Sequence, residues 1–243
     1  MTGTVDVIDQ DRVRYLTIRR ESRANALSIA MLGTLADAIA TASRGNAIDM
    51  IVLQAEGANF CAGADMGELK THRREQYAAL RALLAALDAR DVPMLCVLRG
   101  KTLGAGCMLP ALADAVIAPG DAMLGFPEMR FGMYPSLIHA VLAQKLPVPL
   151  VHAICVGARF LDAREASAIG LLTDVLDAQD FTTLAHERVA FYAARTAALR
   201  YGREMLHESA DEMLLARVDR AERLIDRNLA EPAVGAMLAG YRK

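Results

Sequence analysis

Two segments of small residues and one glutamate are where residue type and order in this chain point to chemistry. The first segment, Gly57-Ala58-Asn59-Phe60-Cys61-Ala62-Gly63-Ala64-Asp65, follows a run of β character (Met50 to Gln54) and precedes a helical stretch at Met66 to Lys70. Its small residues from Ala62 to Ala64 let a ligand approach the main chain, and the helix N-terminus beyond them turns free N–H groups and partial positive charge outward. Asp65 fits as the cap of that helix. The second segment, Gly100-Lys101-Thr102-Leu103-Gly104-Ala105-Gly106-Cys107-Met108-Leu109, repeats the plan after the apolar run Met94 to Leu98. Two loops at the ends of neighbouring strands, each offering one N–H, could hold a single oxygen on which negative charge develops. Taken singly, such loops also serve as plain tight turns between strand and helix.

The third feature is Glu128, in Gly125-Phe126-Pro127-Glu128-Met129-Arg130-Phe131-Gly132. A carboxylate held among apolar neighbours has its pKa raised by desolvation, which suits a group that takes and gives protons near neutrality. A glutamate after proline also commonly opens a turn that faces water.

The elements that must position these groups follow from periodicity. Val13 to Ile18 alternates as a strand, and Ser28 to Ser43 carries Met31, Leu32, Leu35 and Ile39 at helical spacing. Met50 to Gln54 reads as a strand, Arg74 to Leu87 as a helix, and Met94 to Leu98 as a buried strand introduced by Pro93, so the first half has a βαβ layout. Beyond Pro135 helical segments dominate: Leu150 to Val156, Asp162 to Ile169, Phe181 to Leu199 and Asp211 to Leu229. Several are rich in Ala, Leu and Met and leave apolar faces for another subunit.

With 243 residues, 54% of them hydrophobic, the chain can bury a substantial core. It contains no apolar stretch long enough to cross a bilayer and no secretory-type N-terminus, which points to a cytoplasmic protein that does not engage a membrane. The net charge of -2 gives no field attracting nucleic acid. Cys61, Cys96, Cys107 and Cys155 lie far apart without ligand spacing, so they read as reduced and buried, and no metal site is expected. The cluster His72-Arg73-Arg74 reads as a solvated helix face or an anion contact.

Taken together, Asn25-Ala26-Leu27, Phe60-Cys61-Ala62-Gly63-Ala64-Asp65, Gly104-Ala105-Gly106-Cys107, Asp114, Pro127-Glu128 with Gly132 and Pro135, and Gly157 to Ala166 with Gly170-Leu171 resemble the crotonase superfamily, the enoyl-CoA hydratase/isomerase group. The resemblance implies an α/β fold, a spiral of ββα units with a helical C-terminal trimerisation region. Residues 1–190 would form the core that carries the CoA and active site, and residues 191–243 the helical region. It implies an acyl-CoA thioester as substrate, no cofactor beyond the coenzyme A of that substrate, and a homotrimer or a hexamer of paired trimers. The amides of Ala64 and Ala105 would polarise the thioester oxygen, and Glu128 would be the acid/base. Many relatives have Gly where this chain has Ala105, which keeps the N–H and adds a methyl. Ser22, Arg23 and Ala24 would run along the CoA. Ala62, Gly63, Asp65, Met66, Gly104, Met108, Pro127, Gly132 and Tyr134 would complete the substrate contacts, with Leu69, Met129 and Met133 as further candidate pocket walls.

One departure bears on the reaction. Where hydratases of this group carry a second glutamate after the Gly-rich triplet and its Cys, this chain has Met108. Two carboxylates suit addition of water, whereas one base suffices to move a double bond, so a lone Glu128 favours isomerase-like chemistry, or a hydratase with weaker water activation. Ser136-Leu137-Ile138-His139 replaces a Gly-rich stretch; His139 reads as a packed histidine or a second polar group, and Ser136 as a helix cap. A decarboxylase or hydrolase of the same superfamily and a non-catalytic acyl-CoA-binding homologue are the alternatives.

Overall fold

The computed structural model describes residues 3–45, 47–208 and 214–230. The chain opens with a hairpin of β1 (Thr4–Gln10) and β2 (Val13–Arg19), turning at Asp11 and Arg12. Both turn residues have positive φ, the geometry that matches the twist of a two-residue hairpin. β1 has no counterpart in the periodicity reading, because it is a largely exposed edge strand without an alternating apolar face. There follow α1 (Ile29–Ser43), β3 (Met50–Ala55), α2 (Met66–Thr71), α3 (Arg73–Asp88), β4 (Met94–Val97), β5 (Lys101–Leu103) and α4 (Met108–Ala111). Then come β6 (Ala115–Pro119), β7 (Met123–Gly125), α5 (Ser136–Leu142), α6 (Val148–Val156), β8 (Phe160–Asp162), α7 (Ala163–Ala168) and β9 (Asp174–Leu176). The last three helices are α8 (Phe181–Ala193), α9 (Thr196–Glu208) and α10 (Leu214–Leu229). The part of the expected Asp211 to Leu229 helix that precedes Leu214 lies outside the described residues.

The strands form a main sheet in the order β1-β2-β3-β4-β6-β9, parallel from β2 onward, and a small sheet in the order β5-β7-β8. Single bridges extend the small sheet, Cys61 with Thr102 and Leu27 with Ala64. Each turn of chain therefore lays one strand in the main sheet, a second stretch in the small one, and then a helix. This is the spiral of ββα units that the sequence led us to expect.

Alternation of side chains across the main sheet divides the core. Ile51, Leu53, Met94, Cys96, Val116 and Ala118 face α1 and α3, whereas Met50, Val52, Leu95, Val97, Ala115 and Ile117 face Phe181, Ala185 and Val189 of α8. All four cysteines are free and buried.

The stretch Phe181 to Leu199 is two helices, not one. α8 ends at Ala193, where Ala194 and Arg195 close its last turn on the carbonyls of Ala190 and Tyr192. No Gly or Pro marks this break. Arg203 of α9 reaches into the core and bonds Asp114, which also binds Arg90. The division at residues 190 and 191 falls inside α8, and Leu214, Val218, Ala221 and Ile225 of α10 share a core with Leu16 and Leu53. Among the described residues no helix is long and apolar enough to cross a membrane, and no group of three or more His, Cys, Asp or Glu could hold a metal ion.

Candidate active site

The first loop is shaped by Asn25. Its buried carboxamide accepts the Arg20 N–H at 2.7 Å and donates to the carbonyls of Glu56 and Asn59, both at 2.8 Å, stitching the segment after β2 to the loop after β3. Asn25 has a φ of 59°, a conformation Asn tolerates better than most residues. This anchoring lets Leu27 bond the loop on both sides: its N–H donates to Gly63 O at 2.8 Å, and its carbonyl accepts from Asp65 at 2.9 Å. In such a parallel bridge the facing residue, Ala64, turns its own N–H to the opposite side. Asp65 caps α2, accepting from Gly67 and Glu68, and is paired with Arg20 at 2.6 Å.

The second loop is locked to the first by the Leu103 N–H, which donates to Cys61 O at 2.8 Å. Gly104, with φ of 54°, then opens a short 3-10 turn through Cys107, and the leading amides of such a turn have no acceptor within it. The loops touch closely: a β-carbon at Gly63 would stand 3.0 Å from Leu103 O and 3.3 Å from Ala105 N. Among the described residues neither the Ala64 nor the Ala105 amide has a protein acceptor.

Glu128 lies in a 3-10 turn, Pro127–Phe131, beyond β7. Its Oε1 rests against Gly104, 2.6 Å from where a β-carbon would stand there. Its Oε2 is buried without a hydrogen-bond partner. Burial raises its pKa from 4.5 to about 7, against the smaller opposing effect of a hydrogen bond from its own N–H.

These groups share one cavity of about 380 Å³. Ala62, Gly63, Ala64, Met66, Gly104, Ala105, Pro127, Glu128 and Tyr134 line it, as do Leu69 and Met133. The other candidates stand elsewhere. Ser22 and Arg23 are exposed on a short turn, and the carbonyl of Ala24 accepts the Ala62 N–H at 2.9 Å. Asp65 is occupied as a cap, Gly132 closes the Glu128 turn, and Met129 faces outward. Met108 is 1% exposed, packed in the core and off the cavity wall, because the 3-10 turn carries its side chain inward. Ser136 does not cap α5: it follows Pro135 as the first residue of the helix, and its hydroxyl donates to the carbonyl of Tyr134 at 3.4 Å.

Sequence reasoning pointed to the helical stretch between Asp65 and Leu87 as shaping the pocket but named no residue of the opposite wall. Leu27 and Leu32, then Gln76, Tyr77 and Leu80 of α3, and finally Ile225 of α10 close the cavity. Helical spacing marked some of these as apolar, yet it gave no sign of which would meet the site. An apolar cavity that holds two unpaired amides and a carboxyl group of raised pKa can polarise a carbonyl group and move a proton beside it.

Residues 9–233 match the family model described as enoyl-CoA hydratase/isomerase. The 2,3-dehydroadipyl-CoA hydratase of Escherichia coli K12 is 30% identical over 214 residues, covering 85% of this chain and 83% of that protein. The mitochondrial enoyl-CoA hydratase domain-containing protein 3 of Mus musculus is 26% identical over 172 residues, 69% of this chain but only 57% of the relative. In fold, the chain superposes on an enoyl-CoA hydratase from Mycobacterium avium subsp. paratuberculosis K-10 with a TM-score of 0.88, at 21% identity and covering 98% of this chain and 99% of that one.

Proposed function

The chain belongs to the enoyl-CoA hydratase/isomerase family, and from that premise we propose that it binds an acyl-CoA thioester and stabilises its enolate. The thioester oxygen lies between the amides of Ala64 and Ala105, and Glu128 transfers the proton at the neighbouring carbon. The observation that carries this reading is the meeting of Gly63, Ala105, Gly104 and Glu128 within contact distance on one cavity wall.

The amides act on charge that exists mainly in the transition state, so they lower the barrier more than they tighten binding. A carboxyl group with a pKa near neutrality can take a proton from carbon as the base and return it as the acid. Glu128 is the carboxylate among the described lining residues, and Met108 supplies no second one. A shift of the double bond along the chain is therefore the reaction that Glu128 performs unaided. Leu32, Leu69, Leu80, Ile138 and Ile225 make the remaining wall apolar, which suits a hydrocarbon acyl group. Ser22, Arg23 and Ala24 run beside the CoA, no further cofactor takes part, and the protein works as a cytoplasmic trimer or hexamer.

The test is incubation of parent and Glu128→Gln with conjugated and non-conjugated enoyl-CoA thioesters, with products identified by mass. Binding should survive in the variant while turnover falls at least about a hundredfold. Equal turnover in the two proteins would remove Glu128 from the mechanism.

A further inference from the structure

Tyr134 lines the same cavity as Glu128, and the Met133 N–H beside it donates to the Glu128 carbonyl at 3.2 Å. Its phenolic oxygen lies 2.6 Å from Nδ1 of His139 on α5 and 3.2 Å from Nδ1 of His152 on α6. The Cys155 thiol is a third neighbour within hydrogen-bonding reach, and its titration is coupled to the charge on Glu128. His139 is half-buried and His152 is exposed.

A phenol has one proton to give. Two imidazole nitrogens at hydrogen-bond distance therefore cannot both accept it: when one accepts, the other donates to the phenolic oxygen. The result is a chain of alternating donors and acceptors that runs from the cavity wall through Tyr134 to a histidine in contact with solvent. The other hydroxyls on the cavity wall lack this backing. The Tyr77 hydroxyl is buried without a partner, and the Ser136 hydroxyl is bonded to a carbonyl, which cannot take a proton.

We propose that Tyr134 is a second catalytic residue, with His139 as its positioning base, and that the pair lets this cavity add water to a conjugated enoyl-CoA although Met108 supplies no second carboxylate. The proposal rests on the reading of Glu128 and the two amides given above. The water oxygen bonds to the β-carbon, and the π electrons of the double bond move toward the thioester oxygen held by the amides. The proton lost by the water passes to the Tyr134 oxygen as the phenolic proton passes to Nδ1 of His139. The α-carbon takes its proton from the Glu128 carboxyl group. The imidazolium then gives its extra proton up to solvent, and Glu128 regains a proton from solvent. Elimination of water is the reverse.

The experiment compares the parent, Tyr134→Phe and His139→Gln in two assays. One is hydration of but-2-enoyl-CoA; the other is exchange of the α-hydrogens of butanoyl-CoA in deuterium oxide, which uses only Glu128 and the amides. Tyr134→Phe should lower the hydration kcat at least about a hundredfold more than it lowers the exchange rate. His139→Gln should also lower hydration more than exchange, by a smaller factor, and change the shape of the hydration pH profile. Hydration by Tyr134→Phe at the parental rate would overturn the proposal. So would a parent that exchanges but does not hydrate, or an equal loss of both activities in Tyr134→Phe, which would mark a residue that only shapes the cavity. A parent that does not exchange α-hydrogens would refute the Glu128 reading, and this proposal with it.

Discussion

The carboxylate of Glu128 is seated on the bare α-carbon of Gly104: a β-carbon there would stand 2.6 Å from Oε1, inside van der Waals contact. The residue that opens the second loop thus also fixes the acid/base beside the amide of Ala105. Gly104→Ala should displace the carboxylate and lower turnover by about ten- to a hundredfold, since a misplacement of about 1 Å can have that effect. It should also cost about 1–2 kcal/mol of stability, because φ is 54° at this position. Steady-state kinetics and a denaturant melt would measure the two effects separately.

Replacing Ala105 by proline removes one N–H and puts the ring Cδ where that N–H pointed, beside Gly63. The site lies in the first turn of a 3-10 segment, where proline is tolerated, and the preceding glycine can adapt to it. Turnover should fall by at least about 2.7 kcal/mol of transition-state stabilisation, and acyl-CoA affinity should fall as well, because the ring occupies the place of the thioester oxygen. Calorimetric binding alongside kinetics reads the split, and unchanged turnover would exclude this amide from the chemistry.

Burial holds the Glu128 pKa at about 7, above its ordinary 4.5. A base must be ionised, so the rate of a double-bond shift should rise with pH through about 7. Stability runs the other way. The folded protein holds this proton more tightly than the unfolded chain, so the contribution is complete below 4.5 and is lost as pH rises through about 7. Glu128→Gln never ionises. Above that range it should exceed the parent in stability by up to about 3 kcal/mol, with the difference vanishing in acid. Thermal melts of both proteins across the range would check this.

Asp114 takes no part in catalysis in this reading. It accepts from Arg90 at 2.9 Å, Arg203 at 3.2 Å and the Met94 N–H at 2.7 Å. Its burial works against ionisation, and the two guanidinium groups more than offset it, holding the pKa below the usual carboxylate range. Asp114→Asn leaves two buried cations poorly compensated and should destabilise the fold by about 3–5 kcal/mol. The midpoint of chemical unfolding measures it. A loss under about 1 kcal/mol would mean that α9 is held mainly by other contacts.

The main strands and helices were legible along the chain, because alternation and helical spacing mark faces that must be buried whatever they meet. The sequence also marked the two small-residue loops and Glu128, because close approach to a backbone demands Gly and Ala, and a carboxyl group is conspicuous among apolar neighbours. What those groups share emerges only when the chain is packed. Gly104 lies under Glu128, Met108 turns into the core, Ile225 returns along α10 to close the cavity, and Tyr134 meets two histidines from two helices. The break between α8 and α9 was equally hidden, since no Gly or Pro stands at it. Local pattern reports the environment a residue prefers; which distant residue supplies that environment is fixed by how the elements pack.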